Sequence, residues 1–193
     1  MKNMGKIIAL GHISLDGYMA DPEGQINWIR MDGEVAEFVH GVCLSCEGII
    51  YGRKTYEWMD PFWPDVLKDP GKWPGWIVEY AEWVNETKKV VVTTTLKSIA
   101  WKNTRVVGDH VVEEITRIKA EAKGDLLLAG PQLMMTLFEA GLVDEMVGTI
   151  QPVILGKGRP FFSMLNERVW LEVRELKKFA NQAVGFRYGV VRG

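Results

Sequence analysis

The sequence predicts one α/β domain built on a mostly parallel sheet that is covered on both faces, with antiparallel strands closing one edge. Three observations carry this. From residue 6 to about residue 140, short apolar runs alternate with stretches of helical periodicity, the pattern of strands joined by crossover helices. Beyond that point β-rich runs follow one another without helices between them, so they must pair antiparallel. And twice, in "GIIYGRKTYEW" (48–58) and "GDLLLAGPQLM" (124–134), an apolar run stops at a glycine and a helix begins at once.

The elements follow in order. Residues 6–13 are an apolar run long enough for a buried strand, in which Gly11 marks a close backbone approach. The segment "SLDGYMADPEGQINW" is loop, punctuated by D-G, D-P and P-E-G. Val35, Phe38, Val39 and Val42 recur at helical spacing over 33–44. A strand at 48–51 runs into a short helix at 53–59, and the Pro- and Trp-rich stretch that follows, to about residue 76, reads as an ordered insertion or lid. A helix over 76–86 carries Ile77, Tyr80, Ala81 and Val84 on one stripe. Strands are expected at 90–94, 105–107 and 125–129, with helices at 112–122 and 132–140, the last stopped by Gly141. The runs 144–155, 170–178 and 184–191 complete the sheet.

Composition excludes several classes of protein. With 193 residues, 47% of them hydrophobic, the chain can bury a core without staples. A net charge of −2 gives no footprint for nucleic acid. No run approaches the roughly 18–20 apolar residues of a membrane span, and the basic-then-apolar start is too short for a leader. A cytoplasmic location is expected. Cys43 and Cys46 form a single C-x-x-C at the end of a helix pattern rather than at its start, so neither the dipole-activated thiol nor a complete zinc site is predicted. The three histidines and the acidic residues show no metal-ligand spacing, and "NET" at 85–87 carries no meaning in a cytoplasmic chain.

The chemistry gathers at the two glycine junctions. Ligands of open α/β sheets bind where strands end and helices begin, because helix starts offer free N–H groups and a positive dipole end suited to phosphate. Gly52 lets the backbone come close, Thr55 adds a hydroxyl, and Arg53 and Lys54 add two cations. Gly130 with Pro131 makes a second, uncharged junction. One basic and one uncharged turn would grip opposite ends of an extended dinucleotide with an extra phosphate at its adenosine end. The alternative is that each glycine simply ends a strand tightly.

"SLDGYMA", "GRKTYE", "VVTTT", "LLLAGPQLM", "LFEAGLVDEM" and "PVILGKGRPFF", in that order, resemble the reductase domain at the C-terminus of the bifunctional riboflavin-biosynthesis deaminase/reductase. They also resemble its wider superfamily, which includes dihydrofolate reductase. The resemblance implies a dihydrofolate reductase-like three-layer α/β/α fold, NADPH as hydride donor and a homodimer. It implies that Gly52, Arg53, Lys54 and Thr55 form the first phosphate-binding turn, with Arg53 on the adenosine 2′-phosphate. Thr93 and Thr94 would lie beside the adenosine. Gly130, Pro131, Gln132 and Leu133 would form the pyrophosphate-side turn, and backbone near Ala9 would face the nicotinamide carboxamide.

A reductase of C=N or C=O bonds also needs a proton. Dihydrofolate reductases use a carboxylate on the first helix, where this chain offers Asp32, Glu34 and Glu37. Glu37 and, in the "SLDG" loop, Asp16 are the catalytic candidates, although helix-surface acids and an Asx turn would explain them as well. Ser14 and Asp16 share the loop expected near substrate. Trp58 and Trp63 follow the GRKT helix and, with Trp28, could bracket a flat ring. His12, at the end of the first strand, is expected to be a satisfied sheet residue. The sequence and the resemblance together lead us to expect an NADPH-dependent reductase of a small heterocyclic substrate. A true dihydrofolate reductase, a ribosylaminopyrimidine reductase and a non-catalytic dinucleotide-binding or oligomeric module remain open.

Overall fold

The computed structural model describes residues 5–96, 98–163 and 165–192. Its centre is an eight-stranded sheet in which the first strand of the chain lies near the middle. The strands are β1 (Ile7–Ser14), β3 (Gly48–Gly52), β4 (Lys88–Val92), β5 (Thr104–Val107), β6 (Leu126–Ala129), β7 (Glu145–Gln151), β9 (Leu171–Lys178) and β10 (Val184–Val190). Their order is β5-β4-β3-β6-β1-β7-β10-β9. The pairs from β5 to β7 are parallel and the last two are antiparallel, as the alternation and its loss after residue 140 predict.

The near-continuous apolar strands "IIALG", "GIIYG" and "LLLA" are those of a sheet buried on both faces. One face packs Ile7, Ala9, Ile50 and Leu128 against helices α5 (Val111–Glu121) and α6 (Pro131–Glu139). The other packs Ile8, Ile49, Tyr51 and Leu127 against α1 (Gly33–Ser45), α2 (Arg53–Met59) and α4 (Gly75–Glu86). The result is a three-layer α/β/α fold. No helix among the described residues is long and apolar enough to cross a membrane.

Several boundaries differ from the sequence expectation, each for a physical reason. Strand β4 begins at Lys88, two residues early, because the buried Lys89 side chain does not belong to solvent. Its Nζ donates to the carbonyls of Val84 (2.8 Å) and Thr87 (2.7 Å) and lies over the Trp101 ring, which closes the end of α4. Burial lowers its pKa to about 8. At its other end β4 stops at Val92, where Thr93 Oγ1 turns the chain by accepting from the Thr95 and Leu96 nitrogens, so Thr93 and Thr94 fall beyond the strand. The 144–155 run stops as a strand at Gln151, and "LGKGRP" turns at Gly156 (φ 73°) into the two-residue β8 (Arg159–Pro160). Strand β8 pairs with β2 (Tyr18–Ala20), inside the stretch expected to be loop.

The Pro/Trp-rich stretch is ordered, containing α3 (Phe62–Val66) and a 3-10 turn at Pro70–Lys72. Trp63 packs inward on α4, its ring 4.5 Å from that of Tyr80, while Trp73 is exposed; within α4 the Trp83 ring lies 5.3 Å from Tyr80 and the Trp76 ring 5.2 Å from His40. Cys43 and Cys46 are buried on the sheet side of α1, where burial pushes the Cys46 thiol up to about 12 and the Cys43 thiol further. Neither thiol is activated.

Candidate active site

Strands β3 and β6 are parallel neighbours with Tyr51 opposite Ala129, so the two glycine junctions emerge side by side. Gly130 has φ 119° and ψ 111°, a conformation essentially reserved for glycine. A Cβ built on it would lie 3.0 Å from Thr55 Oγ1 and 3.2 Å from the Gly52 nitrogen. The junctions thus touch, which corrects the expectation that they grip opposite ends of a ligand. Neither helix start has a side-chain cap, which leaves the first-turn N–H groups of Arg53, Lys54 and Thr55 and of Gln132 and Leu133 directed out of the same junction. Leu133 is buried and Pro131 supplies the preset first turn.

Beside this double turn the sheet splits. Strand β1 pairs with β6 only as far as Ala9–Leu128, yet it continues with β7 to Ser14–Gln151. Ala9, fully buried, is the last residue held by both neighbours, and on the β6 side the segment 10–14 has no strand partner among the described residues. The chain leaves β1 through α1 on one face and β6 through α6 on the other. That reversal is the topological switch point at which ligands of open sheets bind. On the α1 face Leu10 and Ala129 follow the last β1–β6 pair, His12 comes two residues further along β1, and Met31 and Met59 pack on the same core cluster as Leu10 and Ala129. On the opposite face Phe161 covers Gly11, whose added Cβ would lie 2.2 Å from the ring.

A buried polar line supports His12. The Arg30 nitrogen donates to Gln151 Oε1 (3.0 Å), Gln151 Nε2 donates to Thr149 Oγ1 (2.8 Å), and Thr149 Oγ1 lies 2.8 Å from His12 Nδ1. The backbone donor fixes the Gln151 amide orientation. The fully buried Thr149 hydroxyl then has its own proton for Nδ1, which sets the Nε2–H tautomer. Burial lowers the His12 pKa to about 4, so the ring is neutral at pH 7.

The chain matches the RibD C-terminal domain family over residues 6–184. It belongs to that family. The uncharacterized protein YyaP of Bacillus subtilis (strain 168) is 28% identical over 181 residues, covering 91% of this chain and 90% of that one. A Shewanella sp. PV-4 protein, provisionally named a riboflavin biosynthesis protein, superposes with a TM-score of 0.73 at 23% identity, covering 97% of this chain and 99% of its own. Dihydrofolate reductase from Enterococcus faecalis, complexed with NADP(H), superposes with a TM-score of 0.63 at 15% identity, covering 98% of each chain. These two structures show the fold, which is dihydrofolate reductase-like.

In this RibD C-terminal domain several expected site residues have other work. Asp16 is exposed and clasps two loops: its carboxylate accepts from Ser14 Oγ (2.7 Å) and from the backbone N–H groups of Leu155 (3.1 Å) and Gly156 (2.8 Å). The Ser14 hydroxyl, with these N–H groups, holds its carboxyl below the usual range. An acceptor-saturated carboxylate is a poor proton donor, and the catalytic assignment of Asp16 is corrected on that ground. Ser14 is fully buried, its Oγ also accepting from the Tyr18 nitrogen. Glu37 is exposed on the side of α1 opposite Val35, Val39, Val42 and Cys43, so it points away from the sheet and its catalytic assignment fails too. Asp32 and Glu34 tie the start of α1 to the β9–β10 turn, through Asn181 Nδ2 and the Ala180 nitrogen.

The tryptophan bracket does not form. Trp58 is 57% exposed on α2, Trp63 is packed against Met59 and Tyr80, and Trp28 Nε1 donates to the Gln25 carbonyl. Thr93 is buried and its Oγ1 accepts from the nitrogens of Thr95 and Leu96, so it shapes the loop at the end of β4, where Thr94 is exposed. Lys54 is exposed. Arg53 is engaged by Glu57, one turn on, through Nη1 at 3.0 and 2.9 Å from the two carboxylate oxygens. Glu57 was not anticipated, although the i,i+4 spacing in "RKTYE" signals the pair. Two surface hollows lie elsewhere. One sits at the amino ends of β3–β6 and one is lined by Lys6, Glu145, Arg174, Glu175 and Arg187. Neither is at the switch point.

The depressed His12 pKa has a consequence for stability. Between pH 6.5 and about 4 the unfolded chain binds a proton that the folded chain refuses, so this contribution is complete above pH 6.5 and is lost on acidification. The denaturation midpoint should fall across that window, and His12→Gln should flatten the fall. An equally steep profile in the variant would assign the loss to other groups.

Proposed function

We propose that the chain binds NADPH across the paired glycine turns and reduces a C=N or C=O bond of a small heterocyclic substrate lying on the α1 face of the β1 opening. The observation that carries this is the direct contact between the Gly130 turn and Gly52 and Thr55. It joins two uncapped helix starts into one cradle that any side chain on Gly130 would fill, and the donor set suits a pyrophosphate. In this reading Gly52, Thr55, Gly130, Gln132 and Leu133 hold the pyrophosphate, with Pro131 holding the turn. Arg53 and Lys54 take the adenosine 2′-phosphate, Thr94 and the loop shaped by Thr93 border the adenosine, and the main chain at Ala9 takes the carboxamide. NADPH supplies the hydride. The protein's share is to align the substrate and exclude water, and the neutral His12, as an Nε2–H donor, would orient a substrate heteroatom. With Asp16 and Glu37 set aside, water supplies the proton.

The sheet-facing positions of α1 are Val35, Ala36, Val39, His40, Val42 and Cys43. The carboxylate by which a dihydrofolate reductase grips its pteridine is therefore absent from this face among the described residues, which favours another heterocycle. The same absence is what a non-catalytic dinucleotide-binding module would display. Oxidation of bound NADPH by any member of a panel of pterins, flavin precursors and quinones separates the two readings.

The binding half is tested by titrating NADPH and NADH while following tryptophan fluorescence. Arg53→Ala should weaken NADPH roughly ten- to hundredfold, the range of a lost charge-assisted hydrogen bond, and leave NADH unchanged. Glu57→Gln, which frees the guanidinium and removes a nearby negative charge, should strengthen NADPH about two- to fivefold. No binding of either nucleotide by the wild type would sink the reductase reading.

A further inference from the structure

Past the last β1–β6 pair, His12 of β1 stands opposite Thr149 of β7, and Ser14 stands opposite Gln151. Residues two apart on a strand share a face, so His12, Thr149 and Gln151 lie together on the α1 face. Thr149 and Gln151 are fully buried. Gly185, the β10 residue opposite Thr149, is covered by Phe179 and Phe38, whose rings an added Cβ would meet at 2.8 and 3.1 Å. The Ser14 hydroxyl is committed elsewhere, to Asp16 and to the Tyr18 nitrogen. Among the described residues, Thr149 Oγ1 has only Gln151 Nε2 and His12 Nδ1 as hydrogen-bond partners.

This line has a direction. A main-chain N–H can only donate, so the Arg30 amide holds Gln151 Oε1 and turns Gln151 Nε2 toward Thr149. Thr149 accepts that bond and places its own proton on the side of His12 Nδ1. The other ring nitrogen, Nε2, then carries a proton and offers no lone pair. With the amide reversed, every bond would reverse: Thr149 would donate to Gln151 and accept from His12, and Nε2 would become an acceptor. Neutral imidazole permits either arrangement, so the choice is made by residues behind the ring.

We propose that the Arg30 amide, acting through Gln151 and Thr149, fixes His12 as a hydrogen-bond donor and so makes the site selective for a heterocycle that presents a lone pair, on a carbonyl oxygen or a ring nitrogen, and not an N–H. The inference rests on the proposed placing of the substrate on the α1 face. Gln151 and Thr149 are positioning residues in it, and His12 is the group that meets the substrate. Hydride addition to C=N or C=O builds negative charge on the heteroatom, which is where a donor belongs.

The test is two-bond proton–nitrogen NMR of the imidazole rings in nucleotide-free protein, which reads the nitrogen that carries the proton. At about pH 8, above the ordinary range of His and Glu, wild-type His12 should be protonated at Nε2 alone. Gln151→Glu should move the proton to Nδ1, since the introduced carboxylate accepts from both Arg30 and Thr149. Thr149→Val/Gln151→Glu, with the hydroxyl gone, should leave Nδ1 bare again. The same spectra then follow titration with pyrimidine, which offers only lone pairs, and with pyrrole, which offers only an N–H. The wild type should favour pyrimidine roughly tenfold, the effect of one satisfied against one frustrated hydrogen bond, and Gln151→Glu should favour pyrrole. A wild-type proton on Nδ1, a reading that needs no variant to fold, would overturn the proposal. So would a Gln151→Glu ring unchanged from wild type, a double variant that keeps Nδ1–H, or a wild type that binds the two probes alike or binds neither. No nucleotide is present, so a failed NADPH titration would remove the reductase reading and leave the His12 result standing.

Discussion

Gly148→Ala should lower the stability of this protein on the order of 4 kcal/mol, in the range reserved for a backbone collision in a core. Gly148 sits in β7 directly opposite Gly11 of β1 and Phe186 of β10. A Cβ there would lie 1.6 Å from the Gly11 carbonyl oxygen and 3.1 Å from Phe186 Cζ. The first obstacle is main chain, so no rotamer change relieves it; β1 and β7 must move apart. That movement would also unseat Phe161, whose ring rests where a Gly11 side chain would be and whose nitrogen is bonded to the Gly17 carbonyl. Urea denaturation measures the effect. The control is Gly41→Ala, in the interior of α1 with open space around its added Cβ, which should gain up to about 1 kcal/mol from helix propensity. Equal midpoints for the two variants would contradict the close approach of β1 and β7.

Gly130→Ala should abolish or weaken nucleotide binding by roughly a hundredfold, the loss expected when the two or so hydrogen bonds of a phosphate cradle are denied. It should also lower stability by about 2 kcal/mol through backbone strain at φ 119°. The added methyl would occupy the space between Thr55 Oγ1 and the Gly52 nitrogen, where a pyrophosphate must approach both turns. Because the pyrophosphate is common to both nucleotides, NADPH and NADH should be affected alike. Arg53→Ala, by contrast, should act on NADPH alone. This difference separates the cradle from the 2′-phosphate contact, and a Gly130→Ala protein that binds NADPH at wild-type affinity would remove the cradle from the site.

The parts of the site legible in the sequence were those that depend on local backbone chemistry. A glycine between an apolar run and a helical pattern specifies a strand end and a helix start, and Gly52 and Gly130 occupy such turns, Gly130 alone with a φ that requires glycine. Proline at the first helical position and the two cations after Gly52 are equally local. The side-chain roles were not legible, because they depend on which loop arrives opposite. Asp16 reads as a candidate acid until the β7–β8 loop presents the Leu155 and Gly156 nitrogens to it. Glu37 reads as one of three helix acids until the buried stripe of α1 shows which way it points. The tryptophan cluster reads as a pocket wall until Tyr80 gathers three of its aromatic neighbours inward.

By itself, then, the sequence determined the alternation of strands and helices, the antiparallel close of the sheet and the positions of the two glycine turns. All of these follow from periodicity and from the conformational limits of single residues. Only the tertiary structure decided that the two turns touch, that β1 parts from β6 after Ala9, and that Thr149 and Gln151 stand behind His12. Each of these is a contact or a register between segments far apart in the chain. Strand order sets such contacts, and no local pattern encodes it.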